Sequence, residues 1–231
     1  MNSAVSNDDA HVPFRDQLVG NIAATIPGAT AVFRASRIDF CCGGDVVLGE
    51  AARARGLDVA ALEASLHELR SGVAAAAPGS TDALVNYILR RYHETHRREL
   101  VELVRLARKV EAVHREHPDV PRGLADEFEG LRLELHEHMQ KEEEILFPRM
   151  LAGGDIPISD PIARMREEHR HHGARLLRLE ELAHDFEAPG DACRSWCALY
   201  AGAAKVVDDV REHIHLENNV LFPRFGGSCE V

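Results

Sequence analysis

One twelve-residue passage occurs twice in this chain, as His138-Met-Gln-Lys-Glu142-Glu-Glu-Ile-Leu-Phe-Pro148-Arg149 and as His213-Ile-His-Leu-Glu217-Asn-Asn-Val-Leu-Phe-Pro223-Arg224. Residues four apart on a helix share a face about one turn from each other, so each copy presents an imidazole and a carboxylate to the same point. Two such helices facing one another are equipped to hold two metal ions. This repeat narrows the fold more than any other feature, because it requires paired helices packed about a common centre.

The text around the repeat supplies those helices. Breaks at Pro118-Pro121, Gly153-Pro161 and Pro189-Gly190 leave four long segments of helical periodicity. Steps of three and four trace the inward stripe of the first through Leu89, His93, His96, Leu100, Leu103, Ala107 and Val110. The second runs through Leu124, Phe128, Leu131, Leu135, His138, Glu142 and Ile145. The third follows Ile162, Met165, His169, His172, Leu176, Leu179, Ala183 and Phe186, and the fourth Trp196, Leu199, Ala203, Val206, Val210, His213, Glu217 and Val220. Each stripe is apolar except at two positions. Short connections and such stripes predict an all-α, up-down-up-down four-helix bundle. Counting along the helices from each loop, at about 1.5 Å per residue, brings the polar positions to similar heights in the middle of the bundle.

Burial energetics favours a ligand cluster there. An unpaired charge in an apolar interior costs several kcal/mol, and no Lys or Arg lies on the stripes near Glu142 or Glu217. Imidazoles with bridging carboxylates suit a dinuclear iron or manganese site, and the ligand charge leaves room for a bridging oxide or hydroxide. His93 and His169 join the repeat residues as expected ligands. His96 and His172, one turn away on the same stripes, are rival choices that spacing alone does not separate. His136, His171 and His215 fall off the stripes and are read as solvated, and His114 as a helix-end residue favoured by the C-terminal dipole. Phe147-Pro148 and Phe222-Pro223 read as core anchors followed by helix stops.

Composition excludes several classes. With 38 acidic against 27 basic residues and a net charge of −11, a surface that tracks nucleic acid is not expected. No apolar run is long enough to span a bilayer, and Met1 to Pro13 is too polar to resemble a signal peptide, so a cytoplasmic location is expected and no membrane partner. Five cysteines are an odd and sparse set, read as reduced thiols.

Arg91-Tyr92-His93, His138-Met-Gln-Lys-Glu142, Glu168-His169 and the passage from His213 to Arg224 resemble the hemerythrin-like domain of the iron-sulfur cluster repair di-iron proteins. Asp39-Phe40-Cys41-Cys42-Gly43-Gly44 resembles the short domain upstream in that family, so the likeness runs from about Asp16 to Phe225. It implies a stress-linked protein that repairs clusters damaged by nitric oxide or oxidants, with damaged iron-sulfur proteins as clients. The implied ligands of its two iron ions are His93, His138, His169 and His213, with Glu142 and Glu217 as bridges. Oxygen-carrying hemerythrins use a fifth histidine where this chain has Gly173, so a more open ligand sphere is expected.

The expected organisation is a small helical domain over residues 1–72, a linker at 71–81, the bundle over 82–225 and a tail at 226–231. Within the first domain, Ile22 to Phe33 and Asp58 to Leu69 read as helices, the latter with Asp58 as N-cap. Adjacent cysteines rarely join in a disulfide, so Cys41 and Cys42 read either as redox or iron-transfer thiols or as a tight turn with one buried thiol. Gly43 and Gly44 are expected to admit close backbone approach. Cys193 and Cys197 read as packing residues beside Trp196, and Cys229 as part of a frayed tail. The expected function is cluster repair by iron donation. Alternatives are a dioxygen- or nitric-oxide-binding sensor or carrier, in which the first domain signals to a partner, and a nitric oxide reductase. A homodimer is compatible with each.

Overall fold

The structure is a computed structural model that describes residues 12–70, 79–152 and 158–226. It divides into two compact units, Met1–Ala75 and Ala76–Val231. Most of the segment read as a linker, the loop around Gly154 and Cys229 lie outside the described residues.

Among its described residues, the first unit holds a 3₁₀ turn at Phe14–Asp16 and four helices, α1 (Val19–Thr25), α2 (Ala29–Ala35), α3 (Leu48–Ala54) and α4 (Val59–Arg70). The helix expected over Ile22 to Phe33 is two helices. Gly28 sits at φ 87°, a left-handed conformation that ends one helix and starts the next. Asp58 does cap α4, its Oδ1 accepting from the Ala60 N–H at 2.9 Å. Phe14, Phe33, Phe40, Ile22, Leu48 and Leu66 form the core. Arg15 and Glu63 pair across it through side chain and backbone.

The second unit begins at α5 (Thr81–Ile88), where Ser80 Oγ accepts from the Ala83 N–H. Its long helices are α6 (Glu94–Val113), α7 (Leu124–Lys141), α9 (Ser159–Leu182) and α10 (Arg194–His215), with α8 (Phe147–Leu151) continuing the line of α7. α6 packs on α7 and α10, and α9 on α7 and α10, closing the four-cornered bundle. Nearly every stripe position is buried, each large aliphatic side chain contributing about 1.5–3 kcal/mol.

Four stripe residues, Leu89, Ile145, Phe186 and Val220, are not fully buried, and two of them follow the repeat glutamates. Ile145 is 46% exposed and Val220 is only partly buried, while Leu146, Phe147, Leu221 and Phe222 point inward. The cause is a wide π-helical turn after each repeat carboxylate, at Glu142–Leu146 and Leu216–Leu221. The Phe147 N–H bonds the Glu142 carbonyl and the Phe222 N–H that of Glu217, five residues back. Five residues of α-helix rotate about 140°, which would carry the phenyl ring off the carboxylate's face. The wide turn brings it round to that face. A third, Leu89–His93, likewise aligns His93 with Ile88, both fully buried. Such turns concentrate at functional sites.

The prolines are therefore not stops. Pro148 stands in the first turn of α8, directly after the wide turn, and the chain stays helical to Leu151. Pro223 similarly opens a 3₁₀ turn, Phe222–Phe225.

Candidate metal centre

Above the carboxylates, toward the α5 end, an apolar cluster of Leu84, Val85, Ile88, Leu146, Phe147, Met150, Ile162, Met165, Leu221 and Phe222 closes the bundle. Below it the structure brings together all six side chains expected as ligands. His93, Glu142, His213 and Glu217 form one group of convergent donors and His138, Glu142, His169 and Glu217 another, all fully buried.

The carboxylates are shared in a regular way. Glu142 places Oε2 3.4 Å from His93 Nε2 and Oε1 3.2 Å from His138 Nε2. Glu217 places Oε1 3.1 Å from His213 Nε2 and Oε2 3.1 Å from His169 Nε2. Within each pair the Nε2 atoms face one another, 3.2 Å apart for His93 and His213 and 3.1 Å for His138 and His169. Both Glu142 oxygens and Glu217 Oε2 are buried without a hydrogen-bond partner. Oxygens of this kind are tolerated inside a protein when a cation takes them, so the donor set fits two ions bridged by two carboxylates.

Outer groups aim the imidazoles. His93 Nδ1 lies 2.7 Å from Glu143 Oε1, and Arg97 pairs with that carboxylate. His138 Nδ1 lies 2.9 Å from Glu168 Oε2, with Lys141 on the other oxygen. His169 Nδ1 lies 2.9 Å from Asn218 Oδ1. An acceptor at Nδ1 holds the proton there and leaves the Nε2 lone pair facing the centre. Phe147 stacks on His93 and Phe222 on His169 at centroid distances of 5.8 and 5.9 Å. His213 Nδ1 has no partner; its ring stacks instead on Tyr92, 5.4 Å away and within 5° of parallel.

The electrostatics divides in the same way. Burial opposes a charge on His138, but Glu142 and Glu168 outweigh it and push the imidazole up to about 10. The hydrogen bond from His138 in turn draws Glu168 down to about 2. Burial and the neighbouring His93 hold His213 well below the usual imidazole range.

His96 and His172 are buried but stand outside the convergent groups. Their rings pack 5.4 Å from His213 and 4.9 Å from His138. Burial drives both toward the neutral form, His172 to about 2. His136 and His171 are exposed as expected. His215 is not: it is 2% exposed and receives a hydrogen bond from Asn219, and its neighbours Ile214 and Leu216 are buried with it. His114, at the end of α6, contacts Cys193 and Trp196. Cys197 is exposed, so its packing role is corrected. The sequence reading missed Glu143, Asn218, Tyr92 and Glu168 as supporting groups. Their signal is position, since each immediately follows a repeat glutamate or precedes a ligand histidine.

In the first unit, Cys41 is buried and Cys42 half-buried. The Cys42 thiol, burial and the Asp39 carboxylate together hold Cys41 well above the ordinary thiol range. The Gly44 carbonyl accepts from the Gly20 N–H at 2.8 Å, the close approach expected of this glycine pair.

Residues 84–225 match the model of the hemerythrin HHE cation binding domain, and residues 15–70 match ScdA_N, a domain of unknown function (DUF542). The iron-sulfur cluster repair protein YtfE of Dickeya chrysanthemi (strain Ech1591) is 43% identical over 214 residues, covering 91% of this chain and 97% of the relative. Its namesakes in Yersinia pseudotuberculosis serotype IB (strain PB1/+) and Musicola paradisiaca (strain Ech703) are each 44% identical over 91% of this chain, covering 97% and 96% of their own lengths. With an HHE bundle and a ScdA_N unit in the same order, and relatives matched along almost their whole lengths, the chain belongs to the YtfE family of iron-sulfur cluster repair proteins.

Proposed function

We propose that this protein repairs iron-sulfur clusters damaged by nitrosative or oxidative stress, donating iron from a di-iron centre. His93 and His213 would hold one ion and His138 and His169 the other, with Glu142 and Glu217 shared between them. The single observation carrying this reading is that each buried carboxylate directs one oxygen to each imidazole pair. The relatives' printed name supports the repair role. Two bound iron ions would supply a reservoir of ferrous iron and a redox couple.

The chain's own groups perform the remaining work. Glu143, Glu168 and Asn218 keep the Nδ1 protons of His93, His138 and His169 turned outward, so Nε2 stays available for metal. Phe147, Phe222 and the apolar cluster above them exclude water from the carboxylates. Because Glu142 and Glu217 are common to both pairs, a change at either carboxylate would loosen both pairs together. The proposed clients are iron-sulfur proteins, and the cytoplasm, which keeps thiols reduced, suits the Cys41-Cys42 pair, whose sulfurs are 3.7 Å apart.

The test follows labelled ferrous iron, loaded without oxygen, into a client carrying a nitric-oxide-damaged cluster. Label entering a client that regains activity is the expected result. Label retained with no reactivation overturns the donor role, and a reversible optical change on adding dioxygen or nitric oxide then favours gas binding. Release of nitrous oxide would favour reduction.

A further inference from the structure

The loop between α2 and α3 places three metal-binding groups together: Asp39, Cys41 and Cys42, each offering one donor atom within 4.8 Å of the others. The Cys41 and Cys42 sulfurs are 3.7 Å apart, and Cys41 Sγ lies 3.3 Å from Asp39 Oδ1. Thiolates bind a tetrahedral zinc-like ion at about 2.3 Å, so two on one ion stand about 3.8 Å apart, and a carboxylate oxygen at about 2.0 Å stands about 3.5 Å from either. The observed separations match that bite. They do not match a disulfide, whose sulfurs are bonded at about 2.05 Å.

The backbone holds the group in this form. Asp39 Oδ1 accepts from the N–H of Cys41 at 3.1 Å and of Cys42 at 2.9 Å. Ile38 and Phe40 anchor the strand of chain before it in the core, and the Gly20 to Gly44 hydrogen bond pins the chain after it. Cys41 faces inward while Asp39 and Cys42 open to solvent, so three protein donors leave a fourth position on the accessible side.

We propose that Asp39, Cys41 and Cys42 form a second metal site, which binds one thiophilic divalent cation through two thiolates and one carboxylate and keeps one coordination position open. Two sulfur donors select zinc-like or ferrous ions over magnesium or calcium, which prefer oxygen alone. On binding, each thiol gives its proton to solvent and its sulfur lone pair to the cation. No electron is transferred. The site is separate in sequence and in ligand type from the histidine and glutamate centre, and it stands whether or not that centre donates iron.

The test uses the full-length protein, anaerobic and with its iron loaded, titrated with cadmium ion. Thiolate binding produces an ultraviolet charge-transfer band that histidine and carboxylate ligands do not. The expected result is a band that saturates at one equivalent and protects two cysteines from a thiol reagent. Cys42→Ser, at a half-exposed position, should abolish both signals while helicity and iron content stay unchanged. Cys41→Ser should do the same, and if burial of the new hydroxyl disturbs folding, Cys42→Ser decides alone. Asp39→Asn keeps the turn's acceptor and removes the charge, so it should retain the band and weaken binding about tenfold or more. A band of undiminished amplitude in Cys42→Ser, or no protected thiols in the wild-type protein, overturns the site.

Discussion

The imidazole pairs His93–His213 and His138–His169 meet the same two carboxylates at nearly the same distances, yet they are held from behind by different groups. In each half of the bundle, the residue after the bridging glutamate addresses a histidine of the neighbouring helix: Glu143 reaches His93 and Asn218 reaches His169. The residue before His93 or His169 addresses the other member of that histidine's own pair. Glu168 does so by a hydrogen bond to His138, but its counterpart Tyr92 only stacks on His213. The repeat therefore preserves the ligands and varies their support. One pair has an acceptor behind both rings; the other has an acceptor behind one ring and an aromatic face behind the other.

The comparison is broken most completely at the shared groups. Glu142→Gln or Glu217→Gln should empty both pairs together, taking iron from about two ions per chain toward none in elemental analysis. Loss of only one ion would mean the carboxylates do not bridge. Next in size, Glu168→Ala or Asn218→Ala should weaken one ion by about ten- to a hundredfold, seen as a single-ion loss to a competing chelator. A graded loss of both ions would erase the distinction between the pairs. Tyr92→Glu, which copies Glu168 into the other half, should slow iron release from the His93–His213 pair, whereas Tyr92→Phe keeps the stacking and should change little.

Acid–base behaviour sharpens the contrast. With His138 pushed up to about 10, the metal-free protein carries a proton there at neutral pH, and metal uptake should release about one proton from this pair, measurable on a pH-stat. His213, held well below its usual range, has none to release. Because the folded value of His138 lies above the unfolded 6.5, its contribution to the stability of the metal-free protein is fully present below pH 6.5 and is lost as pH rises through 10. Denaturant unfolding at neutral and alkaline pH should show that loss, and Glu168→Gln should reduce it. The smallest effect belongs to Ile145→Lys, which should leave stability within about 0.5 kcal/mol, whereas Leu146→Ala should cost about 2–5 kcal/mol. Equal costs would contradict the wide turn.

The four helices and the six convergent side chains were legible because helical periodicity and burial cost act on residues close in sequence. The choice between His93 and His96, or between His169 and His172, was not, since both members of each pair lie on one stripe and only the height of the facing helices separates them. The exposure of Ile145 follows from a wide turn, which no periodic template contains. The break between α1 and α2 was visible as Pro27-Gly28, a turn signal that the helical reading of Ile22 to Phe33 passed over. Glu143 and Asn218 were in plain view beside the repeat glutamates, but which histidine each supports depends on the facing helix.

Each imidazole pair also takes one ring from the α6–α7 hairpin and one from the α9–α10 hairpin, so an ion held by either pair is a cross-link between hairpins. The His138–His169 link closes 31 residues of chain and the His93–His213 link 120. Two doublings of loop length separate them, and each adds about 0.6 kcal/mol to the entropy of closure. The pair with the weaker support thus ties the longer loop, and opening it first would free the first and last helices of the bundle from each other while the middle two remain joined.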